Sequence, residues 1–207
     1  MAKVINCRIS ALKILNALSD SNHVVEINNG GLISINKKNE AECFMLHEGC
    51  VLVRRTEDDL IISKLISPIV FGFNKYYDLT GKVYLEAVND VVFEVIPASQ
   101  FYKKIAQHDL WESLLDIMMF ISSEIFHKTN ILAMRDSWSI TRLQLIELLS
   151  EPDVIRTKIS AYDYVQQRTH LSRSGILKHL SRLRNENLIE LENGILISIS
   201  NLPKSLT

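Results

Sequence analysis

The chain has 207 residues, a hydrophobic content of 47% and a formal net charge of −1. This hydrophobic fraction is enough for the core of one large or two small domains, which excludes an intrinsically disordered chain. No apolar run approaches the roughly 18 residues of a membrane-spanning helix, and Arg8 and Lys13 interrupt the segment that a signal peptide would need. We therefore expect a cytoplasmic protein without a membrane segment.

The first hundred residues combine a short helix with many short strands. Ile5, Ile9, Leu12 and Leu15 are spaced as on one face of an amphipathic helix. Many short strands between turn residues indicate an antiparallel β-roll, which Pro97 closes. The predicted strands are 24–27, 31–35, 43–46, 49–53, 59–63, 83–87 and 91–95.

The cysteines and histidines show no spacing typical of a metal site. Cys7, Cys43 and Cys50 are three in number and contain no Cys-x-x-Cys pair, whereas an iron–sulfur cluster needs four thiolates. We expect buried, reduced cysteines, with a redox-sensing thiol at Cys43 or Cys50 as the alternative. We expect no cofactor or metal.

The chain also lacks the common catalytic motifs. The six histidines form no His-x-x-x-His pair, and the sequence has no Walker loop, G-x-S-x-G elbow or G-x-G-x-x-G fingerprint. We therefore do not expect an enzyme.

From about residue 109 to 135 the apolar spacing becomes helical. One series of apolar residues recurs at intervals of three and four, and its one polar member is Lys128. A second stripe of apolar residues lies beside this series on the predicted helix. Two stripes predict a helix that packs on the roll and also meets a partner helix, so we predict a homodimer. The alternative is a core helix of a monomer. The predicted dimerisation residues are Leu114, Met118, Ile121, Ile125 and Leu132.

The last seventy residues show helices followed by a hairpin. A helix over 137–149 ends before Pro152, a short helix covers 161–167, and Ser172 is placed to cap a helix over 173–184. Ile176, Leu177, Leu180 and Leu183 predict its buried face. Asn193-Gly194 then joins two runs of β-forming residues in a predicted hairpin over 189–199. Helix, turn, basic helix and hairpin form the order of a winged helix-turn-helix.

Charge is unevenly divided along the chain. Residues 158–207 carry seven Lys or Arg against four Asp or Glu, whereas residues 1–157 carry 16 against 20. Between Arg168 and Arg184 there are five bases and no acid. A local positive face is what binding to DNA phosphates requires.

These elements predict specific DNA contacts. Arg173 follows the N-cap, where recognition helices contact base edges, and is our candidate for binding guanine. Gly175 would allow close approach of the backbone to DNA. The remaining predicted contacts are Ser160, Arg168, Ser172, Ser174, Lys178 and, more weakly, Arg182.

These residues resemble those of a known family. Ser172-Arg173 at the start of the basic helix, Lys178, and the segment from Asn187 to Ile189 resemble the DNA-binding domain of Crp/Fnr-type bacterial transcription regulators. The run from Tyr164 to Ser174 is similar to the IprA/YaiV-like branch of that group. The resemblance implies an α+β fold with an N-terminal cyclic-nucleotide-binding-like β-roll over 1–108, a long central dimerisation helix over 109–136 and a C-terminal winged helix-turn-helix over 137–207.

The resemblance also implies partners, namely double-stranded DNA, a second copy of the chain, and potential contact with RNA polymerase. Cyclic-nucleotide-binding relatives hold their ligand with a Gly-Glu-Leu carboxylate and an Arg-Ser pair. Here Phe73 stands at the carboxylate position, Gly81-Lys82 at the Arg-Ser position, and no arginine occurs between Arg55 and Arg135. We therefore expect no binding of cyclic AMP.

Aromatic residues occupy the stretch in which those relatives carry their nucleotide-binding residues. They could line a pocket for an apolar ligand, or fill the space that a nucleotide would occupy, which we favour. The candidate pocket residues are Phe71, Phe73, Tyr76, Tyr77 and Lys82. The alternative for the whole chain is an adaptor whose winged helix binds protein instead of DNA.

Overall fold

The chain divides into two compact units, Met1–Ile125 and Phe126–Thr207. The computed structural model describes residues 2–20, 23–35, 41–74, 79–133 and 136–200. The division falls inside the long helix that we predicted as a separate segment over 109–136.

The first unit contains one helix, eight strands, a second helix and the start of a third. The helices are α1 (Ala2–Leu18), α2 (Ala98–Gln107) and α3 (Trp111–Leu132). The strands are β1 (Val24–Ile27), β2 (Leu32–Ser34), β3 (Glu42–Glu48), β4 (Cys50–Arg55), β5 (Ile61–Ile66), β6 (Ile69–Phe71), β7 (Val83–Ala87) and β8 (Val91–Pro97).

The eight strands form two antiparallel sheets of four, in the orders β1-β8-β3-β6 and β2-β7-β4-β5. Side chains of both sheets enter one shared core, for example Phe44 and Phe93 from the first sheet and Val51 and Leu85 from the second. The predicted antiparallel β-roll is therefore confirmed. Strand β6 and helix α2 were absent from the prediction.

Helix α1 packs on this roll through one face, but it is not the predicted one: Ile9 and Leu12 are 49% and 47% exposed, whereas Leu15 is buried. Ala11, Ile14 and Leu18 are fully buried. The end of the helix is held by Glu94, a buried carboxylate of β8 that accepts hydrogen bonds from the Ser19 hydroxyl and from the Asp20 backbone N–H. His47 lies 2.8 Å from the same carboxylate, so each oxygen of this buried acid has a partner.

The second unit contains the end of α3, four further helices and one hairpin. These elements are α4 (Ser137–Leu149), α5 (Asp153–Arg156), α6 (Ala161–Gln166), α7 (Arg173–Asn185), β9 (Ile189–Glu192) and β10 (Ile195–Ile199). Their apolar faces meet in a separate core that includes Leu145, Tyr164, Ile176, Leu183 and Leu196. Helices and hairpin occur in the predicted order, with bounds that differ from the prediction by no more than one residue at α4, α6 and α7.

Candidate nucleic-acid interface

Helix α7 begins with the predicted cap. The Ser172 hydroxyl accepts a hydrogen bond from the Gly175 backbone N–H at 3.2 Å, which satisfies a donor that the first turn would otherwise leave free. A Cβ at position 175 would lie 3.1 Å from that hydroxyl, so the glycine gives room to the cap. Its predicted role in approach to DNA stays a prediction.

The buried face of α7 differs from the prediction at one residue. Ile176, Leu180 and Leu183 are buried in the core of the second unit, as expected, but Leu177 is 45% exposed and does not belong to the buried stripe. Because helical residues advance by about 100°, Leu177 points away from a stripe that passes through 176, 180 and 183.

The opposite face of α7 is exposed and polar. It presents Ser174, Lys178, Ser181 and Asn185, which are spaced by four, three and four residues. Lys178 has no hydrogen-bond or ion-pair partner among the described residues. Ser181 was absent from the predicted DNA contacts, although its helical spacing from Ser174 and Lys178 places it on this face.

Arg173 stands at the beginning of the same helix. Its side chain is exposed, and its guanidinium carbon lies 5.6 Å from the centre of the Tyr162 ring in the preceding helix α6. The Tyr162 ring therefore limits where the guanidinium can point, and the cation remains accessible at the first turn.

Two predicted phosphate contacts already have partners inside the domain. The Arg168 guanidinium lies over the Tyr164 ring at 3.6 Å, and Tyr164 is buried with its hydroxyl donating to Glu151 at 2.8 Å. Ser160 caps α6, where its oxygen accepts from the Asp163 backbone N–H at 3.0 Å. Both residues therefore have structural roles in addition to their predicted ones.

Arg182 also contacts the domain itself. Its guanidinium carbon lies 4.3 Å from the centre of the Trp138 ring, and its Nε donates to Glu186 at 2.8 Å. Arg173 and Lys178 are thus better placed for an external anion than Arg168 or Arg182.

The wing is a tight hairpin whose solvent side is acidic. Asn193 and Gly194 have positive φ angles of 49° and 85°, which a two-residue turn of this type requires. The Gly194 carbonyl accepts from the Ala161 backbone N–H at 2.8 Å, which ties the turn to the start of α6. Glu190 and Glu192 are exposed, and residues 186–200 contain three acids and no base.

Helix α3 exposes an apolar stripe that differs from the predicted seam. Leu114, a predicted dimerisation residue, is buried in the core of the roll and is not part of the exposed stripe, whereas Leu115 beside it is 55% exposed. Met118 and Ile125 are 47% and 61% exposed, and Ile121 is only partly buried against the roll core. The Leu132 side chain lies outside the described residues. The other exposed apolar residues of α3 are Trp111, Leu115, Met119 and Phe126.

Two of the candidate pocket residues of the roll, Phe71 and Phe73, are packed against other aromatic rings. Phe71 stacks on Phe44 with ring centroids 5.0 Å apart, and Phe73 is buried and stacks on Phe101 at 6.0 Å. This packing is what the filled-space interpretation expects of Phe71 and Phe73, and that interpretation stays a prediction. Gly72, between them, has φ of +83°, and a Cβ there would lie 2.6 Å from the Glu42 carbonyl oxygen.

The other members of that prediction lie apart from this packing. Lys82 is exposed in the turn before β7. Tyr76 and Tyr77 lie outside the described residues.

The three cysteines are all buried. Burial, together with the neighbouring Asp116, raises the pKa of the Cys7 thiol to about 11. In the described part of the chain, no group of three or more His, Cys, Asp or Glu side chains is arranged to hold a metal ion. Among the same described residues, no helix combines the length and the apolar character that crossing a membrane requires.

Comparison with known proteins defines the class of the C-terminal domain and the fold of the chain. Residues 137–204 match the family model described as winged helix-turn-helix DNA binding. Solved Crp/Fnr regulators share the whole architecture. The global regulator CLP of Xanthomonas campestris, described as responsive to c-di-GMP, superposes with a TM-score of 0.67 over 93% of this chain and 100% of its own, at 14% identity. A transcriptional regulator of the CRP/FNR family from Thermus thermophilus superposes with a TM-score of 0.58 over 84% of this chain and 93% of its own, at 18% identity.

The chain therefore has the Crp/Fnr fold, with a winged helix-turn-helix DNA-binding domain at its C-terminal end. Among curated proteins it is similar to the inhibitor of hydrogen peroxide resistance of Salmonella typhimurium, with 27% identity over 178 residues that cover 86% of each chain. The sequence resemblance to Crp/Fnr regulators is thus confirmed, as is the resemblance to the IprA/YaiV-like branch, which includes this inhibitor.

Proposed function

We propose that this protein is a homodimeric, sequence-specific DNA-binding transcription regulator that contacts the major groove with helix α7. The observation that carries the proposal is the exposed face of α7, where Arg173 and Lys178 are accessible cations on a helix whose other face is fixed in the core. A regulator that acts on the chromosome works in the cytoplasm, and we place the protein there.

The exposed apolar stripe on α3 supports the homodimer. Large apolar side chains rarely stay in solvent as a group along one helix face, and such a group is typical of helix pairing. A homodimer would also carry two α7 helices, one for each of two half-sites, which lie about 34 Å apart when both are on one side of a duplex.

The acidic wing favours a second candidate, a protein-binding adaptor. Glu190 and Glu192 are exposed beside Ile197, which is 40% exposed, and such a surface suits a cationic protein better than a phosphate backbone. A single experiment separates the two functions.

Duplex binding as a function of salt tests the proposed function. We expect the wild-type protein to select particular duplexes from a random-sequence pool and to bind them with an affinity that falls steeply as salt rises, because phosphate contacts release counterions. Mobility shift with the selected duplex and with a scrambled duplex measures both effects. An adaptor would bind neither duplex at physiological salt, which would contradict the proposal.

We further propose that the roll binds no cyclic nucleotide. Phe73 and Phe101 occupy part of the roll core by direct stacking, and the stretch supplies neither a ribose-binding carboxylate nor an arginine for the phosphate. Calorimetry with cyclic AMP and cyclic GMP should therefore give no heat of binding at micromolar concentrations. Saturable binding of either nucleotide would show that the roll has a functional nucleotide-binding site in spite of the aromatic rings.

The name of the curated relatives raises the question of peroxide sensing by a thiol. Peroxide reacts with the thiolate, so a sensing cysteine needs exposure and a depressed pKa. Cys7 is buried with a raised pKa, and Cys43 and Cys50 are buried as well. We therefore propose that the chain controls gene expression without an oxidisable sensor cysteine.

A further inference from the structure

The first turn of α4 contacts the recognition helix through one aromatic ring. His179 and Arg182 are three residues apart on α7, so they lie on the same side of that helix. The His179 ring meets the Trp138 ring edge-to-face at 5.3 Å, and the Arg182 guanidinium lies over the same ring at 4.3 Å. We call these three residues the α4–α7 contact.

Trp138 is held firmly at its backbone. Asp136 caps α4 by accepting from the backbone N–H groups of Trp138 at 3.1 Å and Ser139 at 2.9 Å. The hydrogen bond from the Ser139 hydroxyl to the same carboxylate lowers the pKa of Asp136, so the cap stays charged. The ring that receives His179 and Arg182 therefore projects from a fixed position.

His179 strengthens the same connection. Its Nε2 lies 3.0 Å from the Ser137 hydroxyl oxygen. Burial lowers the pKa of His179 despite the opposing effect of Asp136, and the charges of Lys178 and Arg182 act in the same direction as burial. The imidazole is thus neutral near pH 7 and serves as a packing and hydrogen-bonding group.

Arg182 differs from the accessible cations of α7. Its guanidinium lies over an indole ring, and Glu186 neutralises part of its charge through the 2.8 Å hydrogen bond. We propose that Arg182 is a positioning residue, which holds the recognition helix against α4 through Trp138 and does not itself bind a DNA phosphate. This inference rests on the proposed DNA-binding function and assigns Arg182 a different role from Lys178 within it.

The salt dependence of DNA affinity separates the two roles. Binding is measured with a duplex that the wild type selects from a random-sequence pool, for the wild type, Arg182→Gln and Lys178→Gln. Removing a phosphate contact lowers the slope of log affinity against log salt by about 0.9, and we expect this for Lys178→Gln. For Arg182→Gln we expect a two- to fivefold loss of affinity with the wild-type slope, because a cation–π contact of this exposure is weak and releases no counterion.

A double-mutant cycle tests whether Arg182 acts through Trp138. In a Trp138→Leu background, Arg182→Gln should cause no further loss of affinity, since its partner is already absent. Arg182→Lys gives an independent test that leaves Trp138 in place. Lysine keeps the charge but lacks the flat guanidinium, so we expect it to show the same loss as glutamine.

Several results would overturn the inference. They are a reduced salt slope for Arg182→Gln similar to that of Lys178→Gln, full recovery of affinity by Arg182→Lys, or no effect of Arg182→Gln on affinity. If Trp138→Leu fails to fold, the comparison of the glutamine and lysine variants at position 182 decides alone. Failure of the wild type to bind any duplex would overturn the proposed function, and this inference with it.

Discussion

Ile125→Asp should convert the protein into a monomer that no longer binds a duplex with two half-sites. Ile125 is 61% exposed on α3, so the substitution leaves the roll core intact but places an unpaired carboxylate in the proposed helix–helix seam. A monomer has one α7 helix instead of two, so it loses the gain in affinity that comes from binding two linked half-sites. We expect its affinity for the duplex to fall by about 100-fold or more. Sedimentation at micromolar protein and mobility shift measure the two effects.

Ile125→Leu is the matched control for this change. Leucine keeps an apolar side chain of the same size at the same exposed position of α3, without the carboxylate. This variant should remain dimeric and bind DNA as the wild type does. A wild-type protein that sediments as a monomer even with DNA would refute the seam, as would a dimeric Ile125→Asp variant. Ile121→Asp is less informative, because Ile121 also packs on the roll core.

Arg173→Ala and Lys178→Ala should weaken DNA binding in different ways. Arg173 is accessible at the start of α7, and loss of a bidentate guanine contact costs about 1–3 kcal/mol at one base position. We therefore expect relaxed specificity at that position, measured by affinities for duplexes that carry each single-base change. Lys178→Ala should weaken binding to all sequences alike and flatten the salt dependence.

The two variants serve as controls for each other, because each removes one cation from the same helix. Equal losses for cognate and changed duplexes in both variants would show that neither residue distinguishes bases. If Arg173→Ala lowers the affinity for cognate and changed duplexes equally, while Lys178→Ala behaves as expected, the base contacts lie elsewhere on α7, where Ser174 and Ser181 are the candidates on the exposed face.

Local signals in the sequence were sufficient for α4, α6, α7 and the hairpin of the second unit, whereas the four-residue helix α5 was not predicted. The cap at Ser172 and the turn at Asn193-Gly194 depend on the chemistry of a few neighbouring residues, and both form as predicted. Strand β6 was missed because three residues between Pro68 and Gly72 are too few to show alternation. Helix α2 carried a usable signal in Phe101 and Ile105, which are spaced by four and both buried.

The face of α3 could not be derived from spacing. Seven of the eight residues from 114 to 121 are apolar, so periodicity allows several stripes, and only the position of the roll decides that Leu114 is buried and Leu115 exposed. The count of basic residues had the same limit. It could not show that Arg182 lies on Trp138, because that ring comes from α4, whereas Arg168 and Tyr164 are four residues apart, a spacing that the sequence does show.

The acid-only hairpin bears on how such a protein would find its target. Most encounters of a regulator with a chromosome are with sequences that it must leave again, and its hold on them comes from phosphate contacts. The two carboxylates of the hairpin, Glu190 and Glu192, come soon after the basic helix and oppose that hold over a range of about 8 Å at physiological salt. Dwell times on unrelated sequence would then be short, and long residence would depend on the bases that face α7.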